Sequence, residues 1–153
     1  HGPIKLVGLV PDFQTFFHGH SFTGNQLGSS AALASLEILQ GRQSIRKRAR
    51  LQSAFASELQ GLWKSPHVGD IRQVGLVAGI ELVRNWKTRE PFKITDRVGI
   101  RVCDAMARHG VLTRPIGNVI VLLPPYCTTP NQIRTIIQAL HTGIIEVLHS
   151  AGK

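Results

Sequence analysis

Residues 110–126, GVLTRPIGNVIVLLPPY, decide how the rest of the chain is read. Within them residues 111–113 and 119–123 read as short strands, because β-branched and leucine side chains crowd both runs and residues 115–118, Pro-Ile-Gly-Asn, supply turn chemistry between them. Helical patterns flank the pair. Upstream, Thr95 reads as the N-cap of a helix carrying Val98, Val102, Ala105 and Met106 on one face and ending at Arg108-His109-Gly110. Downstream, Thr129-Pro130 is a helix start, with the proline at the first helical position, followed by the stripe Ile133, Ile136, Ile137, Leu140, Ile144, Val147 and Leu148. Helices laid on a short sheet predict an α/β fold.

Further from this centre, residues 71–83 combine β-branched and small residues with embedded glycines, which predicts one bent or bulged strand. Residues 85–91 read as a turn. Two helices come earlier, over 25–40 and 42–63, divided at Gly41 and stopped by Lys64-Ser65-Pro66. In the second, Leu51, Phe55, Leu59 and Leu62 recur at helical spacing opposite Arg42, Arg46, Lys47, Arg48 and Arg50.

The first helix is entered through residues 16–33, FFHGHSFTGNQLGSSAAL. Glycine and hydroxyl residues leading into a helix N-terminus can offer backbone N–H groups and hydroxyls to an anion at the positive end of the helix dipole. The same residues also suit a plain turn and an ordinary cap, and Thr23 reads as the cap of the helix beginning at residue 25.

Composition sets the outer bounds. The chain has 153 residues, 42% hydrophobic and 18% charged, enough for one core, and its apolar runs are too short for a membrane span. No secretory leader pattern is present, so a soluble, cytoplasmic protein is expected. Cys103 and Cys127 lack metal or redox spacing and read as buried free thiols, which agrees with a reducing compartment. A net charge of +9 raises nucleic acid as a partner. A basic run on a helix is more often a solvated face, and no interleaved aromatics or RNA-binding signature accompany it, so nucleic acid is not favoured. Neither a metal set around His18 and His20, nor a nucleophile elbow, nor paired carboxylates emerge.

Three segments taken together carry a resemblance: HGHSFTGN in the early loop, VGLVAGIEL at 74–82, and GVLTRPIGNVIVLLPPY. They resemble the C-terminal portion of the class III, fold-type I aminotransferases that use pyridoxal 5′-phosphate, and look most like the biotin-pathway branch of that class. The similarity runs from about residue 16 to about residue 148. It implies residues 1–40 as a remnant of the large cofactor-binding domain, then a connecting helix and a small C-terminal α/β domain of helices packed on a short sheet over 41–153.

The resemblance also implies roles. Gly19, His20, Ser21 and Thr23 would contact the cofactor phosphate of a partner subunit in a homodimer, with Ser21 supplying a hydroxyl where many relatives carry threonine. Gly19, Arg114 and Tyr126 would contact the substrate, a small keto or amino acid, with Arg114 gripping its carboxylate in a two-pronged pair. In the biotin-pathway branch the amino acceptor is 8-amino-7-oxononanoate. Ornithine- and 4-aminobutyrate-type relatives share the loop logic, and a non-catalytic basic binding module is the other alternative. No residue here is assigned a catalytic role. The lysine that holds the cofactor covalently, and the aspartate that pairs with its pyridine nitrogen, have no local match, and the neighbours of Lys5 do not resemble the lysine segment.

Overall fold

The computed structural model describes Gly19 and residues 21–148. The chain divides into two compact units, His1–Gly41 and Arg42–Lys153. In the first, residues 21–24 make a turn that leads into α1, Gln26–Gln40. Asn25 caps this helix: its Oδ1 accepts from the Gly28 backbone N–H at 3.0 Å. The cap expected at Thr23 is therefore made two residues later, where the side chain can reach back into the first turn. Gly41 ends α1 in an extended conformation.

The second unit begins with α2, Arg42–Gln60, shorter than the sequence suggested because its last turn tightens into the 3-10 segment Gly61–Lys64. Residues 71–83 are not one bent strand. They belong to a hairpin of β1, Val68–Val74, and β2, Val77–Asn85, joined by Gly75-Leu76. Gly75 sits at φ +60, so the glycine read as a bulge instead provides the positive φ that a two-residue hairpin loop needs at its first position. The bulge lies earlier, between Val68 and Asp70. A Cβ on Gly69 would come 2.5 Å from the Val83 side chain, so only glycine fits there.

A two-residue strand β3, Glu90–Pro91, pairs with the end of β2. The next helix, α3, spans Val98–Arg108, and Thr95 does not cap it. Residues Ile94–Asp96 form a 3-10 turn whose N–H bonds run from Asp96 to Lys93 O and from Arg97 to Ile94 O, and Arg97, in the left-handed region at φ 49, then begins the helix by accepting from Arg101 N. After α3, Val111 N returns to Met106 O, so residues 111–113 continue the helix ending and are not a strand. The second hairpin pairs β4, Arg114–Ile116, with β5, Val119–Leu122, across Gly117 at φ +59. Last comes α4, Pro130–Leu148. Thr129 and Gln132 cap it reciprocally, Gln132 N donating to Thr129 Oγ1 at 3.3 Å and Thr129 N to Gln132 Oε1 at 2.8 Å.

The sheet order is β1-β2-β5-β4, antiparallel throughout. Alternation along β2 and β5 sends Ala78, Ile80, Leu82, Ile120 and Leu122 into the core, against Leu51, Phe55 and Leu59 of α2, Val102 and Met106 of α3, and Ile133, Leu140 and Ile144 of α4. The same alternation leaves the opposite sheet face to Gly79, Glu81, Val119 and Val121.

Two glycines set how closely the layers approach. A Cβ on Gly99 would meet Gly117 O at 2.3 Å and Pro115 Cβ at 2.8 Å, so α3 lies directly on the second hairpin. Gly143 brings α4 onto α3, where a Cβ would stand 3.1 Å from Val102 O. Ion pairs tie the outer ends: Glu146 accepts from Arg108 at 2.8 Å and meets His109 at 2.7 Å, and Arg134 donates to Glu58 at 3.1 Å.

Candidate functional site

In the first unit Ser21 and Thr23 stand exposed on the turn, followed by Gly24 at φ +81. Among the described residues nothing stands within 4 Å of a Cβ added to Gly24, and one added to Gly19 would meet Thr23 Oγ1 at 3.9 Å. The first turn of α1 contains no acidic residue that would offset the positive end of the helix. Hydroxyl donors, small residues and an uncompensated helix N-terminus form a donor set that fits a phosphate group. His20 lies outside the described residues.

In the second unit Arg114 is the first residue of β4, an edge strand, and not a residue between a strand and a turn as the sequence suggested. Its backbone is pinned three ways. It pairs with Val121, the hydroxyl of Thr113 just before it donates to Val121 O, and Pro115 after it restricts it to extended conformations. Since Pro115 faces Gly99 of α3, alternation turns Arg114 to the other side of the sheet, where it is exposed. Among the described residues it pairs with no carboxylate. A fixed strand thus carries a guanidinium with its fork unused.

Tyr126 is neither buried nor beside Arg114 in a common hollow. It is 52% exposed and lies under Arg48, whose guanidinium carbon is 5.4 Å from the ring centroid. Tyr126 lines an apolar depression of about 550 Å³ with Gln52, Leu76, Val77, Leu123 and Pro125, and Arg114 is not part of that lining. Ser21 and Gly19 belong to one unit, Arg114 and Tyr126 to the other.

The two thiols differ. Cys103 is buried in α3, and burial, with a smaller effect from Asp104, pushes its pKa up to about 11. Cys127 is exposed, against the expectation of two buried thiols, because it falls in the turn before α4. Sequence reasoning also missed the Arg48–Tyr126 contact, which joins residues 78 positions apart and has no local signature. The reciprocal cap of α4 did have one, the Thr-x-x-Gln spacing at 129–132.

Comparison with known proteins gives most of the chain a family. The family model for aminotransferase class III matches residues 6–144. The chain belongs to the class III aminotransferases. Among curated members, it is 44% identical over 147 residues to the adenosylmethionine-8-amino-7-oxononanoate aminotransferase of Anoxybacillus flavithermus, covering 96% of this chain and 32% of that protein. It is 35% identical over 138 residues to the putrescine–pyruvate aminotransferase of Pseudomonas aeruginosa, covering 87% of this chain and 29% of that one. In three dimensions it is similar to the crystal structure of the adenosylmethionine-8-amino-7-oxononanoate aminotransferase of Methanocaldococcus jannaschii, with TM-score 0.80 and 41% identity over 88% of this chain and 31% of that one. The chain spans about a third of the length of the class III aminotransferases it matches. Among its described residues no helix is long and apolar enough to cross a membrane.

Proposed function

We propose that this chain is the C-terminal portion of a pyridoxal-phosphate aminotransferase that delivers an amino group to 8-amino-7-oxononanoate in biotin synthesis. The observation that carries this reading is the 44% identity over 96% of the chain to a protein named for that reaction. On this reading residues 1–40 are a remnant of the cofactor-binding domain, and 41–153 the connecting helix and small domain. When bound, pyridoxal phosphate supplies the electron sink for moving the amino group. The chain's own residues hold and orient. Gly19, His20, Ser21 and Thr23 bind the phosphate of a partner subunit's cofactor in a homodimer, with the Ser21 hydroxyl donating. Arg114 takes the carboxylate of the acceptor in a bidentate pair, with Gly19 and Tyr126 also on the substrate side. No residue of this chain is given the role of the covalent lysine; on this reading a portion that the chain does not span supplies it, and the chain alone is inactive. Two unpaired thiols support a cytoplasmic location.

A general ω-aminotransferase is the second reading, favoured by the similarity to the putrescine–pyruvate enzyme. The two separate on Arg114. In the enzyme assembled with its lysine-bearing portion, Arg114→Ala should raise KM for 8-amino-7-oxononanoate by about tenfold or more, since a hydrogen bond to a charged group contributes roughly 1.5 to 3 kcal/mol. Cofactor absorbance should be unchanged. An unaltered KM would remove Arg114 from the substrate site.

A further inference from the structure

The proposed activity leaves unused the most basic part of the molecule. Arg42, Gln43, Arg46, Lys47 and Arg50 of α2, with Pro130 at the start of α4, line a hollow of about 760 Å³. On a helix, residues 42, 46 and 50 form one stripe and residues 43 and 47 the stripe beside it, so three guanidiniums follow one another at about 6 Å intervals with an ammonium alongside.

Nothing within the described part of the chain neutralises them. Of the described acids, Glu58, Asp70, Glu81, Glu90, Asp96 and Glu146 are engaged with Arg134, Arg72, Arg84, Arg108 and His109, and Glu37 and Asp104 form no ion pair with the cations of the hollow. Residues 42–57 and 105–145, which supply both walls, contain no aspartate or glutamate. The cations also crowd the wrong end of α2. Arg42 and its successors occupy its N-terminal half, with no acid in the first turn, where the helix dipole is positive and cations are disfavoured. The start of α4, equally without an acid in its first turn, adds a second positive helix end to the same hollow. Like charges at i, i+4 weaken a helix further. Apart from Pro130, the residues that line this space are positive or polar, and an anion relieves the crowding of like charge.

We infer that this hollow binds a compact polyphosphate anion, several linked phosphates on one small molecule. An extended nucleic-acid strand fits less well, because the lining offers no aromatic ring for bases to stack on; Tyr126 is engaged by Arg48. The stripe of arginines is only about 12 Å long. Arginine forks suit adjacent phosphate oxygens, and two helix N-termini suit a small, dense negative charge.

Inorganic triphosphate titrated into the 153-residue chain by calorimetry at about 50 mM salt should bind saturably at one site, and weaken as salt screens the pairs. The double variant Arg46→Gln/Arg50→Gln should bind at least about tenfold more weakly. Lys87→Gln/Lys93→Gln, which removes the same charge from exposed positions elsewhere, should bind as the parent does. Gln43→Glu reaches the same loss by adding a negative charge to the hollow while leaving every arginine in place, and circular dichroism checks that each variant is folded. Three results would overturn the inference: no saturable triphosphate binding, equal weakening in the Lys87/Lys93 control, or a single-stranded oligonucleotide that binds more tightly than triphosphate with affinity rising with length.

Discussion

Cys103 and Cys127 carry the same thiol and should react on different timescales. Nucleophilic attack needs the thiolate, which burial suppresses at Cys103, and it needs access, which Cys127 offers in its exposed turn. A maleimide at neutral pH should therefore label one thiol per chain rapidly, identified by peptide mapping as Cys127, and the second only on unfolding; rapid double labelling would contradict the packing of α3. At the proposed phosphate site, Ser21→Ala in the assembled enzyme should weaken cofactor retention by roughly 1.5 to 3 kcal/mol, measured by equilibrium dialysis, and unchanged retention would remove Ser21 from that site. Single residues were unevenly legible. Arg114 was conspicuous in the sequence because proline follows it, and the core positions Leu51, Phe55 and Leu59 followed from spacing alone. The Arg48 that lies on Tyr126 was not legible, since it is reached only through tertiary packing.

Among the elements, the helices were readable to within a turn and the first hairpin was not. Periodicity over a long amphipathic run identifies a helix whatever surrounds it, whereas Gly75 and Gly69 look alike in sequence and do opposite things: one turns the chain, the other lets β1 approach Val83. Thr95 failed as a cap because competing 3-10 bonds claimed its turn. How α3 seats on the second hairpin depends on a glycine whose necessity no local pattern reveals. Gly99→Ala forces a methyl into Gly117 O and Pro115, and should cost about 3 kcal/mol in urea denaturation, near the upper range for overpacking. Gly61→Ala, with nothing within 4 Å, serves as the control and should change stability little. Equal effects would mean that α3 stands off the hairpin.

For the whole molecule, the α/β class could be read in advance because every strand is bounded by a helix or a turn, yet the sheet order could not, because local sequence does not say that β2 pairs with β5. Stability toward acid is a property of the assembled unit. Hydrogen bonds from His109 and then Arg108 hold the Glu146 carboxyl below its ordinary value near 4.5. A lowered folded-state pKa contributes stability that is complete above the unfolded value and is lost as pH falls through the folded one. Melting temperature should thus drop on acidification from about pH 5 to pH 3, and Glu146→Gln should flatten that drop while costing stability at neutral pH; parallel acid profiles for the two proteins would show that this carboxylate is uncoupled from folding.

The seam between β2 and β5 joins Ala78 to Leu122 and Glu81 to Val119, whereas each flanking hairpin closes on itself within a few residues. Two ribbons can therefore zip early and independently, at small entropic expense, while their union awaits the intervening α3 segment folding back across them. A polypeptide released stepwise from the ribosome would hold its first ribbon with one unsealed border until the second emerged, making that interval its time of greatest exposure to wrong pairing.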